Sequence, residues 1–338
     1  MHSIVPSLQQ VGFVHRRPIH PARMGLLSPP LRLVEWRMPK DVYTLADLRD
    51  WPAVTAGEGA PIRLSVFGDP VKHSRSPQMH DAALAAAGIA ARYVRLHILP
   101  EELKEAMRLL PELGFIGTNV TIPHKAAAVG LMDEVDPLAQ RVGGVNTVLV
   151  RVEKLIGFST DGPGFARAIH AEFGVSLRDL RVLVLGAGGG AGTAIAVQCE
   201  MEKVKRLVLV NRSFPRAHGL KERLSGAVEV APWEEASLAR VLPEVDLIVN
   251  ATPLGMSTTP ELAGASPVPA SLLRAHHLVY DTVYTAQRTP LLAAADEAGA
   301  HAANGLSMLL HQGALSFEIW FGRAAPIEAM RAALEGGK

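Results

Sequence analysis

A glycine-rich turn set between a strand and a helix constrains this chain more than any other feature. The apolar run Arg181–Leu185 leads straight into Gly186-Ala187-Gly188-Gly189-Gly190-Ala191 and then into a helical pattern. That is the G-x-G-x-x-G/A form with alanine last, the opening of a βαβ unit. The glycines allow a tight turn and bare backbone N–H groups at a helix start, where a pyrophosphate is favoured by the helix dipole. The spacing therefore predicts a dinucleotide site at Gly186, Ala187, Gly188, Gly189, Gly190 and Ala191. A tight turn in some other α/β domain is the competing explanation.

The rest of the chain alternates in the same way, as expected for an α/β protein with parallel sheets. Strands are expected at 63–68, 92–98 and 117–122, and a hairpin at 145–150 and 155–158 turning at Glu153-Lys154. Helices are expected from Ser76-Pro77 to Gly88, at 101–110, and from Pro123-His124-Lys125 onward. In the second unit, buried strands read at Arg181–Leu185, Arg206–Val210, 246–250 and Leu278–Asp281, the order of a doubly wound sheet whose ligands lie beyond the strands' carboxyl ends. A helical pattern at 305–321 fits either unit. Residues 1–60 differ. Five prolines precede Leu31, and Glu35 is the only acid before Asp41. They are expected to be a poorly structured extension, a disordered tail or sequence upstream of a start at Met24 or Met38, with a transit peptide as the alternative.

Composition excludes several classes. Lysine plus arginine total 34 against 33 aspartate plus glutamate, which leaves no global field for nucleic acid or anionic lipid. Anion recognition must be local. Aromatic residues are only 5%, poor material for a base-stacking platform. The single cysteine, Cys199, makes no intrachain disulfide and suits a reducing, cytoplasmic setting. No paired histidines or cysteine cluster suggest a metal site. The apolar stretch 182–199 is broken by glycines and does not read as a membrane span.

The end of the second Rossmann-type strand bears on which dinucleotide is bound. A carboxylate there would pair with the ribose hydroxyls of NAD. This chain has Asn211-Arg212-Ser213, with Arg216 one helical turn on. Two guanidiniums can clamp a 2′-phosphate, so NADP is expected, although solvated surface arginines would look the same. In the first unit, Ser74 and Ser76 stand two apart at a helix mouth, a carboxylate-sized anion site, or else a loop hydroxyl and an N-cap. Asn119 and Thr121 share one face of their strand and suit ligand hydroxyls. Lys125 sits just inside a helix start, where its charge opposes the dipole, unless it is simply solvated. Asp161 is equally placed to cap the next helix.

The ordered set of motifs resembles the shikimate dehydrogenase family over about residues 62 to 335. It comprises Gly68-Asp69-Pro70, His73-Ser74-Arg75-Ser76-Pro77, Asn119-Val120-Thr121-Ile122-Pro123-His124-Lys125, Gly144-Val145-Asn146-Thr147, Thr160-Asp161-Gly162, the glycine turn, Asn211-Arg212-Ser213, Asn250-Ala251-Thr252-Pro253 and Asn304-Gly305-Leu306 with Met308. The resemblance implies an N-terminal α/β substrate domain, residues 61–163 with 305–338, and a Rossmann-type doubly wound NADP-binding domain, residues 164–304. It implies NADP-dependent reversible reduction of 3-dehydroshikimate to shikimate in aromatic amino acid and chorismate biosynthesis, by a monomer or homodimer. Lys125 and Asp161 would be catalytic. Ser74, Ser76, Asn119, Thr121, Asn146, Tyr284 and Gln312 would bind substrate, and Thr252, Gly305 and Met308 would join the cofactor site. Two positions depart from the family pattern, Ser159 in place of asparagine and Ala286 in place of proline. The rival expectations are an NAD-using quinate/shikimate dehydrogenase and a non-catalytic NADPH-binding regulator.

Overall fold

The computed structural model describes residues 40–256, 259–285 and 287–336. Residues 1–39, most of the expected extension, and Ala286 lie outside these. Seven strands form the first sheet: β1 (Val42–Thr44), β2 (Ile62–Gly68), β3 (Arg92–His97), β4 (Gly117–Val120), β5 (Glu134–Val135), β6 (Thr147–Arg151) and β7 (Lys154–Phe158), in the order β1-β3-β2-β4-β6-β7-β5. Pairing is parallel from β1 to β4, antiparallel across β4–β6–β7, and parallel again at β5. The β6–β7 hairpin turns at Val152-Glu153, one residue earlier than expected, and both residues have positive φ (48° and 62°). Two left-handed residues match the twist of adjoining strands, a solution reached here without glycine.

The sequence assigns residues 42–54 to a poorly structured extension, but they belong to the fold. β1 pairs with β3, and Tyr43, Leu45, Leu48 and Trp51 are buried. Trp51 packs edge-on against Tyr43 and tilted against Phe115, with centroids 5.2 and 5.4 Å apart. The apolar period is only a few residues long, too short to stand out beside the proline- and arginine-rich segment before it.

The second sheet has six strands, all parallel: β8 (Arg181–Leu185), β9 (Arg206–Val210), β10 (Val228–Val230), β11 (Leu247–Asn250), β12 (Leu278–Asp281) and β13 (His301–Asn304), in the order β10-β9-β8-β11-β12-β13. This is the doubly wound dinucleotide order, with its switch point between β8 and β11. The two edge strands carry no clear strand pattern: β10 is three residues long, and His301-Ala302-Ala303-Asn304 reads as helix by composition. Bidentate ion pairs mark the edge where strands begin, Arg181 with Asp246 and Arg206 with Glu229.

The helix Leu306–Phe321 resolves the ambiguity of the C-terminal pattern. It packs on the helix Asp161–Phe173 and returns to the first sheet, where Ser316 meets Asn119 and Thr147 at 3.0 and 2.8 Å and Trp320 donates to the Val148 carbonyl. The last helix, Ile327–Gly336, covers the helix Ser76–Ala86 through Met330 and Leu334. No helix among the described residues is long and apolar enough to cross a membrane.

Candidate active site

Sheet topology gathers the polar residues of the first unit on one edge. β2, β4 and β7 all end there, and antiparallel β6 begins there. The segments carrying Ser74 and Ser76, Thr121 and Lys125, Asn146, and Asp161 therefore converge although they span 88 positions of sequence.

Lys125 is the first residue of the short helix Lys125–Val129. Its backbone is fixed by Val145 N donating to the Lys125 carbonyl, and His124 anchors the preceding turn by a ring nitrogen on the Ile98 carbonyl at 2.7 Å. From there Lys125 Nζ donates to Asp161 Oδ2 at 2.5 Å. Asp161 opens the helix Asp161–Phe173, but Thr160 is the capping residue and the carboxylate caps nothing. It instead meets Lys125 and accepts from Asn146 Nδ2 at 3.0 Å. A carboxylate at a helix N-terminus is also stabilised by the dipole. Asn146 holds the far side of this arrangement: its Oδ1 accepts from Thr160 N at 2.8 Å, and its Nδ2 also reaches Thr160 Oγ1 and Gln312 Oε1. The brace on Asp161 thus comes from residue 146, so serine at 159 leaves it intact.

Asn119 is buried, and its amide is committed to protein: Oδ1 accepts from Tyr93, and Nδ2 reaches the Asn146 carbonyl, Thr147 and Ser316. Through the Asn146 carbonyl it also braces the residue that in turn braces Asp161. Thr121 is half-buried in the turn after β4, with its N–H on Phe67. At the other end of the edge, Arg75 is the capping position and Ser76 the first residue of the helix Ser76–Ala86, so Ser76 is not the N-cap expected from sequence. Ser76 N donates to Ser74 Oγ at 3.3 Å. Tyr284 comes over from the loop after β12. Burial pushes its phenol above the ordinary value, while the nearby Arg75 guanidinium pulls it back.

The second sheet brings its own residues to its carboxyl edge. Gly186 and Gly188 have φ of 89°, and a Cβ on them would sit 2.7 Å from the Ala251 carbonyl oxygen and 2.9 Å from that of Arg216. No side chain fits either place. The close packing of helix on turn falls on Gly192, whose Cβ would collide with the Gly186 carbonyl, whereas Ala191, the last residue of the motif, is only half-buried. Gly189 precedes the helix Gly190–Met201, whose free N–H groups face the turn. Asn211 fastens β9 to this turn, Nδ2 to the Ala187 carbonyl at 2.6 Å, and Ser213 N returns to Asn211 Oδ1. Arg212 and Arg216 are exposed and have no acidic partner among the described residues, as a phosphate clamp requires. Thr252 bonds to Asn250 Oδ1, and Gly305 lies so close to the Thr282 carbonyl that a side chain is excluded. Met308 is buried, its N–H on the Tyr280 hydroxyl.

The two edges meet at the lysine. A Cβ on Gly190 would lie 3.9 Å from Lys125 Cδ, so the amine side chain runs along the mouth of the nucleotide turn. Two organisers here carry no sequence signal. Asp281, fully buried and with its acid strength reduced by burial, holds Asn250 and Thr289, and so ties together the loops that follow β11 and β12. Gly164 lets the helix Asp161–Phe173 approach Gln312.

Comparison with known proteins agrees with this geometry. Family models match in three consecutive parts: the shikimate dehydrogenase substrate binding domain at residues 66–148, shikimate / quinate 5-dehydrogenase at 167–261, and the shikimate 5'-dehydrogenase C-terminal domain at 305–335. A shikimate dehydrogenase (NADP(+)) of Symbiobacterium thermophilum is 44% identical over 81% of this chain and 95% of its own, and one of Methanopyrus kandleri 40% identical over 80% and 94%. The solved Thermus thermophilus shikimate 5-dehydrogenase, in complex with NADP(H) and shikimate, superposes with a TM-score of 0.73 at 37% identity, covering 81% of this chain and 99% of that one. A likeness that runs through both sheets and the returning C-terminal helix, at such identity, is one of descent: the chain belongs to the shikimate dehydrogenase family.

Proposed function

We propose that this chain catalyses the reversible, NADP-dependent reduction of 3-dehydroshikimate to shikimate, on the way to chorismate and the aromatic amino acids, in the cytoplasm and as a monomer or homodimer. The observation that carries the reading is the Lys125–Asp161 pair, 2.5 Å apart and lying against the nucleotide turn. Residues 40–163 with the C-terminal helices act as the substrate domain and 164–304 as the NADP domain. The turn from Gly186 to Ala191, with Gly192 behind it, takes the pyrophosphate. Asn211 and Ser213 shape the pocket for the 2′-phosphate that Arg212 and Arg216 clamp. Thr252, Gly305 and Met308 complete the cofactor's surroundings.

When bound, the nicotinamide supplies the hydride chemistry. Lys125 Nζ donates a proton to the ring ketone oxygen during reduction and recovers it during oxidation. Asp161 aims that ammonium and Asn146 aims Asp161, so the proton donor is oriented before substrate arrives. Ser74 and Ser76 hold the substrate carboxylate at the helix start, Thr121, Asn146 and Gln312 hold ring hydroxyls, and Tyr284 closes over the ring. The test is to supply NADP with shikimate, then with quinate, and to repeat with NAD, following nicotinamide absorbance. Reduction of NADP by shikimate is the expected trace. Preference for NAD and quinate, or tight NADPH binding with no turnover, would replace the reading with one of its rivals.

A further inference from the structure

Arg95 lies in β3 and is only 8% exposed, and two of its four hydrogen bonds fall on the two-serine turn. Its Nε and Nη2 both donate to the Ser74 carbonyl oxygen, at 2.9 and 2.7 Å. Nη2 also reaches Gln78 Oε1 at 3.2 Å, and Nη1 donates to Asp41 Oδ1 at 3.0 Å. Two charge-assisted bonds on one carbonyl fix that peptide far more firmly than a turn usually is. The same residue is tied from its other end by Ser74 N on the Val71 carbonyl, and its hydroxyl oxygen accepts from Ser76 N. Every backbone polar group of Ser74 is therefore taken, and its hydroxyl hydrogen is left for a ligand.

We propose that Arg95 is a positioning residue for substrate carboxylate, acting through Ser74, and that the N-terminal strand is part of that device. The inference rests on the function proposed above. The guanidinium holds the Ser74 hydroxyl at its spacing from Ser76 through its two bonds on the Ser74 carbonyl, and Asp41 holds the guanidinium in turn. Val42 pairs with Arg95 across β1 and β3, so the strand pairing itself delivers Asp41 to the guanidinium. Residues of the first sheet that carry no recognisable motif thereby set the affinity of the site.

The experiment is steady-state kinetics with shikimate and NADP on Arg95→Ala, Arg95→Lys and Asp41→Asn, with NADPH binding followed by fluorescence. Arg95→Ala is expected to raise KM for shikimate about ten- to a hundredfold with little change in kcat or NADPH affinity. Arg95→Lys, which cannot form the fork, should recover only part of this, and Asp41→Asn should show a smaller rise. A cavity of about 200 Å³ adjoins Arg95, so added guanidinium ion should restore KM in the alanine variant, an outcome that mere loss of stability would not give. Unchanged KM in a folded, NADPH-binding Arg95→Ala enzyme would overturn the inference, as would a fall confined to kcat. Failure of the parent enzyme to oxidise shikimate would instead overturn the functional reading beneath it.

Discussion

Replacing Gly164 with alanine tests whether the site depends on the contact of two helices. A Cβ at position 164 would stand 2.7 Å from Gln312 N, 2.7 Å from Gln312 Cβ and 2.8 Å from Gln312 Cα. Two of these atoms are backbone or Cα, so no rotamer change relieves the overlap and the helices Asp161–Phe173 and Leu306–Phe321 must separate. Overpacking of this kind costs about 1–3 kcal/mol, and about 2–4 °C of Tm accompanies each kcal/mol in a unit of this class. A drop of several degrees is expected by scanning calorimetry. Asp161 begins the first helix and Gln312 lies on the second, so kcat/KM for shikimate should fall as well, by about tenfold or more. Gly219 is the matched control: it lies in the helix Phe214–Lys221 with nothing within 4 Å of a Cβ, and alanine there should be neutral or stabilising by about 0.4–1 kcal/mol. If Gly164→Ala kept the parent Tm and kinetics, the claim that helix spacing sets the site would be wrong.

Three further outcomes are expected. Lys125→Ala should lose about 10²–10⁴ in kcat with modest change in KM; normal turnover with only a weaker KM would reject its role as proton donor. Arg212→Ala should weaken NADP binding by about tenfold or more and leave NAD binding nearly untouched, read by titration calorimetry with each nucleotide. Asp81 is pushed up to about 6 by burial, with its Oδ1 accepting from Tyr93 N and Arg95 partly opposing the shift. A carboxyl raised in the fold favours the native state most at low pH and loses that contribution as pH rises through about 6. Asp81→Asn keeps the acceptor and drops the charge, so its denaturation midpoint should exceed the parent's at pH 8 and the gap should close near pH 4.

What was legible in the sequence is what has a local signature. The glycine turn, the strand before it and the arginines at the end of β9 announce themselves because tight turns and phosphate recognition need particular residues at fixed offsets. The Lys125 and Asp161 motifs are paired by the family resemblance and not by local pattern, because a solvated lysine and a helix cap have the same spelling as a catalytic couple. Only sheet topology, with β6 running against its neighbours, shows that both face one point. Gly164 and Asp281 stayed hidden for a different reason. Their roles come from contacts with chain up to about 150 positions away, Gly164 against Gln312 being the longest. The strand at residues 42–44 lay beside an unpatterned segment and shared its reputation. Asn119, which the strand pattern puts on a promising face, also ties Tyr93, Thr147 and Ser316 together, a structural duty that pattern does not show.

Because all six strands of the second sheet point the same way, its two rims have different duties. Glycine turn, Asn211, Thr252, Tyr284 and Gly305 leave from one rim, while the arginine–carboxylate forks of Arg181 and Arg206 sit at the other. Ionic strength or drift in surface charge at the lower rim can thus adjust how firmly the lobe holds together without touching what it grips. Selection on durability and selection on chemistry act on separate ends of the same strands.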